Sequence, residues 1–288
     1  YTITLQAYGF FWFELTQPSE DLRPVVQIAP DLVTLVQVGD FASVFEGRNR
    51  GIMERDVLPA YLRPRRWFAQ KNERNVQIAI LWTLCFSLGG RDRCWLIAEA
   101  RGKANMAYSL PVVDEYQPPA RPPPQAVIGK LRRSYREGYL LDALFGEEFI
   151  RAAIEALRQN TTIEVRGGTL SFRPTAAFLA TNPPEKPSIR IGGQEQSNSS
   201  ALVEEWLIIK FYRKVAIGIN PEIEMGSFLT NEAHFGNSPA LFGSIHFRDN
   251  AGHEMALGVA HAWIRNQGDG WVNTLAYLDR FLQDRRVA

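Results

Sequence analysis

Apolar residues recur with two periods along this chain, and the change from one to the other marks out its elements. From about Arg48 to Trp67 the spacing is helical, with Ile52, Val57, Leu58, Tyr61 and Leu62 on one stripe until Pro64 turns the chain out. Alternation then predicts strands over 75–88, 93–101 and 106–114, parted by Gly89-Gly90-Arg91-Asp92 and by Arg101-Gly102-Lys103. A helical patch follows, with Leu140, Leu141, Leu144, Phe149, Ile150, Ile154 and Leu157 spaced for one face up to Gln159. From Ser188 the pattern returns to short strands: SIRIGGQEQ, SALVEE and WLIIKFYR. Asn220 and Pro221 then suit the cap and first position of a helix, INPEIEMGSFL. A hairpin, FGSIHF and MALGVAHAW, turns at Asp249-Asn250-Ala251-Gly252, and DGWVNTLAYLDRFLQD closes as an amphipathic helix. A helix, a meander and a second group of strands give an α+β order.

Two stretches fall outside this scheme. YTITLQAYGFFWFEL, at the start, reads as two short strands turned at Tyr8-Gly9, too small a sheet to bury its own aromatics. Its partner strands are expected upstream, with QPSEDLRP as a linker behind it. YQPPARPPPQ, residues 116–125, reads as a stiff exposed loop or as a docking segment for a proline-reading domain.

Charge narrows the classes of partner. With 32 Lys and Arg against 31 Asp and Glu, the net charge of +1 gives no footprint for nucleic acid or an acidic membrane. The longest uncharged run, Asn75 to Gly90, is 16 residues, short of the roughly 20 that a spanning helix needs. Cys85 and Cys94 are too few for a disulfide framework, and are expected as reduced thiols in a cytoplasmic protein.

One charge stands out inside an apolar run, the lysine of LIIKFYRK. In a strand Lys210 shares a face with Ile208 and Tyr212, where an unpaired ammonium is costly. Nucleotide phosphates need hydroxyls, backbone N–H groups and a fixed cation. The loop Gln196 to Ser200 offers the small polar groups and Lys210 the cation. Glu224 is the expected anion behind Lys210, on the stripe of Met225, Phe228 and Leu229, while Glu222 is assigned to the helix dipole. This is the layout of a kinase small lobe. Each part also has a plainer reading: an edge-strand gatekeeper, a polar turn, a solvated helix charge. His246 and His253 lie on the two arms of one hairpin, where a zinc pair is conceivable beside an ordinary structural role. RPRRWFAQK, at 63–71, reads as a basic edge over a buried Trp67, or as a surface for stacking on nucleic acid.

LPAYLRPRRWFAQK (58–71), EQSNSS (195–200), LIIKFYR (207–213), NPEIEMGSFL (220–229) and NQGDGW (266–271) resemble, in order, the cap, small lobe and hinge exit of bacterial maltokinases. YGFFWFEL (8–15) is similar to the last strands of the trehalose synthase C-terminal β-domain, which is often fused upstream of maltokinases. The resemblance implies an antiparallel-sheet cap followed by a protein-kinase-like, aminoglycoside phosphotransferase-like small lobe, with the large catalytic lobe beyond this chain. The expected domains are 1–22 (β-domain end), 23–47 (linker), 48–185 (cap and intermediate region), 186–263 (small lobe) and 264–288 (hinge exit and first helix of the large lobe).

The implied parent phosphorylates maltose to maltose 1-phosphate with ATP and Mg²⁺, feeding α-glucan (glycogen) synthesis in the cytoplasm. Its partners would be ATP, maltose and the fused trehalose synthase domain, and a homo-oligomer is compatible with the sequence. Ser197, Asn198 and Ser199 would cradle phosphates, Lys210 would pair the α- and β-phosphates, and Glu224 would orient it. Ala260, His261 and Ala262 would read adenine through the backbone. Gln70 stands where the family usually has Gly, and His261-Ala262 where it has Glu or Gln-Glu. The catalytic residues and Mg²⁺ ligands are expected in the missing lobe, so this chain alone is expected to bind nucleotide weakly and catalyse nothing. Two other readings stand beside this one: a non-catalytic module with a small-lobe shape, and a phosphotransferase for another hydroxylated substrate.

Overall fold

The computed structural model describes residues 32–116, 122–192, 198–266, 268 and 270–287, and the aromatic strands expected over 1–15 lie outside them. Residues Val33–Ala288 form one compact unit. A first sheet is built from β1 (Thr34–Val36), β2 (Gln77–Leu88), β3 (Arg91–Arg101), β4 (Met106–Glu115), β5 (Val127–Arg133) and β6 (Arg136–Asp142), in the order β1-β5-β6-β4-β3-β2. Only β1 against β5 is parallel. Gly89 and Gly90 both take positive φ (60° and 73°), as a two-residue hairpin turn requires, and this fixes the β2–β3 register.

One face of this sheet is covered by a continuous helical run: α1 (Gly47–Ile52), a wider turn over Met53–Val57, and α2 (Leu58–Leu62). Leu58, Tyr61, Leu62, Trp67 and Phe68 are buried there with Leu96, Ala98 and Tyr108. Residues 33–47, expected as linker, belong to this layer: Leu35, Phe41, Val44 and Phe45 are buried. They fold because β1 pairs with β5, and the Asp40 carboxylate caps the short turn after it by accepting from the Ser43 N–H.

The other face packs on α3 (Glu147–Arg158) and a second sheet. Leu140 and Leu141, read as helical, lie on β6 instead, because β5 and β4 flank that segment. The second sheet comprises β7 (Thr162–Val165), β8 (Gly168–Pro174), β9 (Ile189–Ile191), β10 (Asn198–Val203), β11 (Leu207–Tyr212), β13 (Leu241–Asp249) and β14 (Glu254–Ala262), with the two-residue β12 (Lys214–Val215) crossing back to pair with β4. Its order is β7-β8-β13-β14-β11-β10-β9. The boundary expected at 185 therefore does not divide the structure, since β8 pairs with β13 from Gly168 to Pro174. A short helix, α4 (Ala176–Leu179), leads into β9, and α5 (Pro221–Ser227) connects β12 to β13. The final helix, α6 (Gly270–Val287), exposes Trp271, Leu275, Leu278 and Leu282.

Arg213 sits where the chain passes from the second sheet to the first. Its guanidinium is buried, donating to Asp142 Oδ2 at 2.6 Å and to Ser199 Oγ at 2.7 Å, and lies 5.1 Å from the Trp67 ring. Tyr61 also donates to Asp142 Oδ2 at 2.7 Å, so one carboxylate joins the helical layer, both sheets and the crossing. Cys85 and Cys94, expected as free thiols, form a disulfide. They stand directly opposite each other on β2 and β3, a register the Gly89-Gly90 turn dictates.

Candidate functional site

β11 is the third strand after Ser188, and its alternation turns Leu207, Ile209 and Phe211 inward and Lys210 to the opposite face. Phe211 packs on Trp95 and Phe149, which ties that strand to the first sheet and to α3. Lys210 stands opposite Ser200 of β10 and Val259 of β14, its side chain about one-third exposed. The partner that its position demands is present, and it is Glu222: Lys210 Nζ donates to Glu222 Oε1 at 2.7 Å.

Glu224, expected in that role, is exposed. Which glutamate reaches Lys210 is decided by the start of α5. Asn220 caps it, its Oδ1 accepting from the N–H groups of Glu222 and Ile223 at 3.0 and 3.3 Å, and Pro221 takes the first position. A first-turn side chain leans back toward the helix start, which here lies over β11, and this carries Glu222 to Lys210. Two residues on, Glu224 has turned to solvent, as have Met225 and Phe228, expected against the sheet and instead 57% and 50% exposed.

Glu222 is held by more than Lys210. The Tyr212 hydroxyl lies 3.0 Å from Oε2, and His261 Nε2 approaches Oε1 at 3.2 Å. Burial pushes the Glu222 carboxyl up, but the hydrogen bond and charge of Lys210, helped by Tyr212 and His261, hold it below its ordinary value. Burial and the neighbouring Glu222 charge push the Tyr212 phenol up, so it stays a donor at every physiological pH. Burial lowers the His261 imidazole against the pull of Glu222, which favours a neutral ring. The arrangement is a fixed, partly solvated ammonium with an anion behind it, able to meet a phosphate oxygen.

The other expected positions divide. Ser197 lies outside the described residues. Asn198 and Ser199 are not in a loop but on β10, opposite Tyr212 and Phe211, and the Ser199 hydroxyl is taken by Arg213. Ala260, His261 and Ala262 are on β14 between β11 and β13, where Ala262 N–H donates to Ala240 O and Trp263 N–H to Trp206 O, both at 2.9 Å. Those two N–H groups are occupied within the protein. His261 instead contributes its side chain, and Tyr212 joins through the alternation that puts it on the face of Lys210.

The hairpin histidines do not converge. His246 Nε2 lies 2.8 Å from Ser244 Oγ and Nδ1 3.3 Å from Glu254, whereas His253 lies 3.1 Å from Asp249. Among the described residues no three His, Cys, Asp or Glu are grouped to hold a metal ion, and no helix is long and apolar enough to cross a membrane. In RPRRWFAQK, Arg65 stacks on the Tyr61 ring at 4.0 Å and Trp67 lies beneath Arg213, a structural edge. Gln70 is buried and donates to the carbonyls of Ala100 and Ala104 at 3.1 and 2.6 Å.

The second sheet and its helix thus present a lysine on a central strand and a carboxylate at the start of the following helix. No family model matches the chain. Among solved structures it is similar to a glucosamine kinase in complex with glucosamine, ADP and inorganic phosphate, at 15% identity and a TM-score of 0.41 over 69% of this chain. The aligned part spans 39% of that kinase. The likeness is slight, and the functional reading rests on the residues around Lys210.

Proposed function

We propose that this chain carries the nucleotide-holding half of an ATP-dependent sugar kinase whose substrate is maltose and whose product is maltose 1-phosphate. The observation that carries this reading is the Lys210–Glu222 pair, 2.7 Å apart, joining the third strand of the second group to the helix that follows. Kinases place the phosphate-pairing lysine and its orienting glutamate on those two elements. Lys210 would meet the α- and β-phosphates, and Glu222, rather than Glu224, would hold it there. Ser197, Asn198 and Ser199 would contact phosphate, Ser199 through its O–H, since its oxygen already accepts from Arg213. Ala262 and Trp263 N–H are engaged within the protein, so adenine would be read by other backbone groups around β14. The choice of maltose, and of a trehalose synthase fusion feeding glycogen synthesis, is supported by the sequence resemblance of the cap and small-lobe segments.

The direct test is Lys210→Met in the full-length protein, assayed for maltose-dependent ADP release. Turnover should be abolished while the folded chain persists, and unchanged turnover would sink the assignment. One observation favours the second reading, a non-catalytic module: two hinge N–H groups already have partners inside the protein. Titration of this chain with a fluorescent ATP analogue separates the two, since the module would show no saturable binding.

A further inference from the structure

A cavity of about 480 Å³ opens beside β2, sharing no residue with the Lys210 group and lined by Phe45, Glu46, Arg50, Trp82, Cys85 and Arg166. The β2–β3 register slips between Ile80 and Trp82, and beyond that slip Leu84, Phe86 and Leu88 turn into the core while Thr83 and Cys85 line the cavity. Cys85 is half-buried there, but its disulfide partner Cys94 is 1% exposed and packed with Leu96 and Ala98. The bridge is therefore asymmetric, with one cysteine at a cavity wall and the other buried in the core. Two cations stand at the same cavity. Arg166 reaches Glu46 at 2.6 Å with its side chain 86% exposed, and Arg50 lies 3.1 Å from Glu54 while donating to the Ile80 carbonyl.

We propose that the Cys85–Cys94 bridge is a thiol–disulfide exchange site entered from this cavity and selective for small anionic thiols. The incoming thiol ionises, its sulfur bonds to Cys85 Sγ as the Cys85–Cys94 bond breaks, and Cys94 leaves as a thiolate that takes up the proton the incoming thiol released. A second thiolate attacks the incoming sulfur, expelling Cys85 as a thiolate that takes a proton from water at the cavity and leaving the two small thiols joined as their disulfide. Attack occurs at Cys85 because Cys94 is packed in the core, and Arg50 and Arg166, set against the one carboxylate of Glu46 among the lining residues, favour a thiol carrying carboxylates. This site is independent of the kinase reading.

The folded chain is incubated with glutathione, acid-quenched, alkylated in denaturant and peptide-mapped. The mixed disulfide should sit on Cys85 in at least roughly tenfold excess over Cys94, in line with the dependence of exchange on access. An adduct shared equally, or exchange only after unfolding, overturns the proposal. Because losing the bridge can loosen the fold, single-thiol variants provide a second reading. Native iodoacetamide should label Cys85 in Cys94→Ala at least roughly tenfold faster than Cys94 in Cys85→Ala, and equal rates overturn the asymmetry. Arg166→Ala should slow exchange with glutathione by about two- to fourfold at low salt and leave neutral 2-mercaptoethanol unaffected, and the same response to both thiols overturns the anion preference.

Discussion

Lys210 and Arg213 lie three residues apart on one run of chain, each paired with a carboxylate, yet water reaches the first pair and not the second. The Lys210 and Glu222 side chains are 36% and 34% exposed, those of Arg213 and Asp142 2% and 0%. A sealed pair repays its desolvation only as far as its polar atoms are engaged, and most are here: Asp142 Oδ2 accepts from Arg213 and Tyr61 and Oδ1 from the Leu144 N–H, while Arg213 Nη1 is buried without a hydrogen-bond partner. Burial, and then the Asp142 charge, push the Tyr61 phenol far up, so it remains a donor. A half-open pair contributes little to stability and leaves its cation able to take a second anion. The contrast marks Arg213 as structural and is what the binding role proposed for Lys210 requires.

The largest effect expected from breaking this contrast is at the sealed pair. Asp142→Ala leaves the Arg213 guanidinium buried without its anion and should cost about 3–5 kcal/mol, read from urea unfolding. A loss under about 1 kcal/mol would show that the crossing is not closed to water.

Next comes acid. Burial, then the charge of Arg173, lowers the His246 imidazole to about 4 despite the nearby Glu254, with Arg248 adding to the shift. The folded ring stays neutral down to about pH 4, while the unfolded ring charges near 6.5, so its contribution is complete above pH 6.5 and is lost as the pH falls toward 4. The loss should approach about 3 kcal/mol, and His246→Asn should flatten that part of the stability profile. Glu254, held at about 2 chiefly by Arg173, acts in a lower window, losing its contribution only below its unfolded value of about 4.3. The open pair sits at the small end. Asn220→Ala removes the cap that sets Glu222 and should cost about 1 kcal/mol. Lys210→Met should cost under about 1 kcal/mol in thermal or urea unfolding while removing nucleotide binding.

Much of this was legible in the sequence. The strands expected over 75–88, 93–101 and 106–114 are found over 77–88, 91–101 and 106–115, and the Asn220 cap and the hairpin turned at 249–252 likewise follow from turn and capping residues. The anion demanded by Lys210 was legible as a need but not as a residue. Helical period ranks Glu224 with the apolar stripe, whereas α5 is a seven-residue helix whose contact with β11 is made at its first turn. Leu140 and Leu141 fit helical spacing but were claimed by strand partners distant in sequence. The disulfide could have been found by counting outward from Gly89-Gly90, which sets Cys85 opposite Cys94. The occupation of Ser199 by Arg213 left no sequence signal, because it depends on how the two sheets meet.

The most direct test of Lys210 as a phosphate holder compares two glutamates two residues apart. A fluorescent ATP analogue is titrated into this chain and into Glu222→Gln and Glu224→Gln. Glu222→Gln should weaken binding about tenfold, corresponding to about 1.4 kcal/mol, while Glu224→Gln leaves it unchanged. Equal weakening by both, or none by Glu222→Gln, would contradict the assignment.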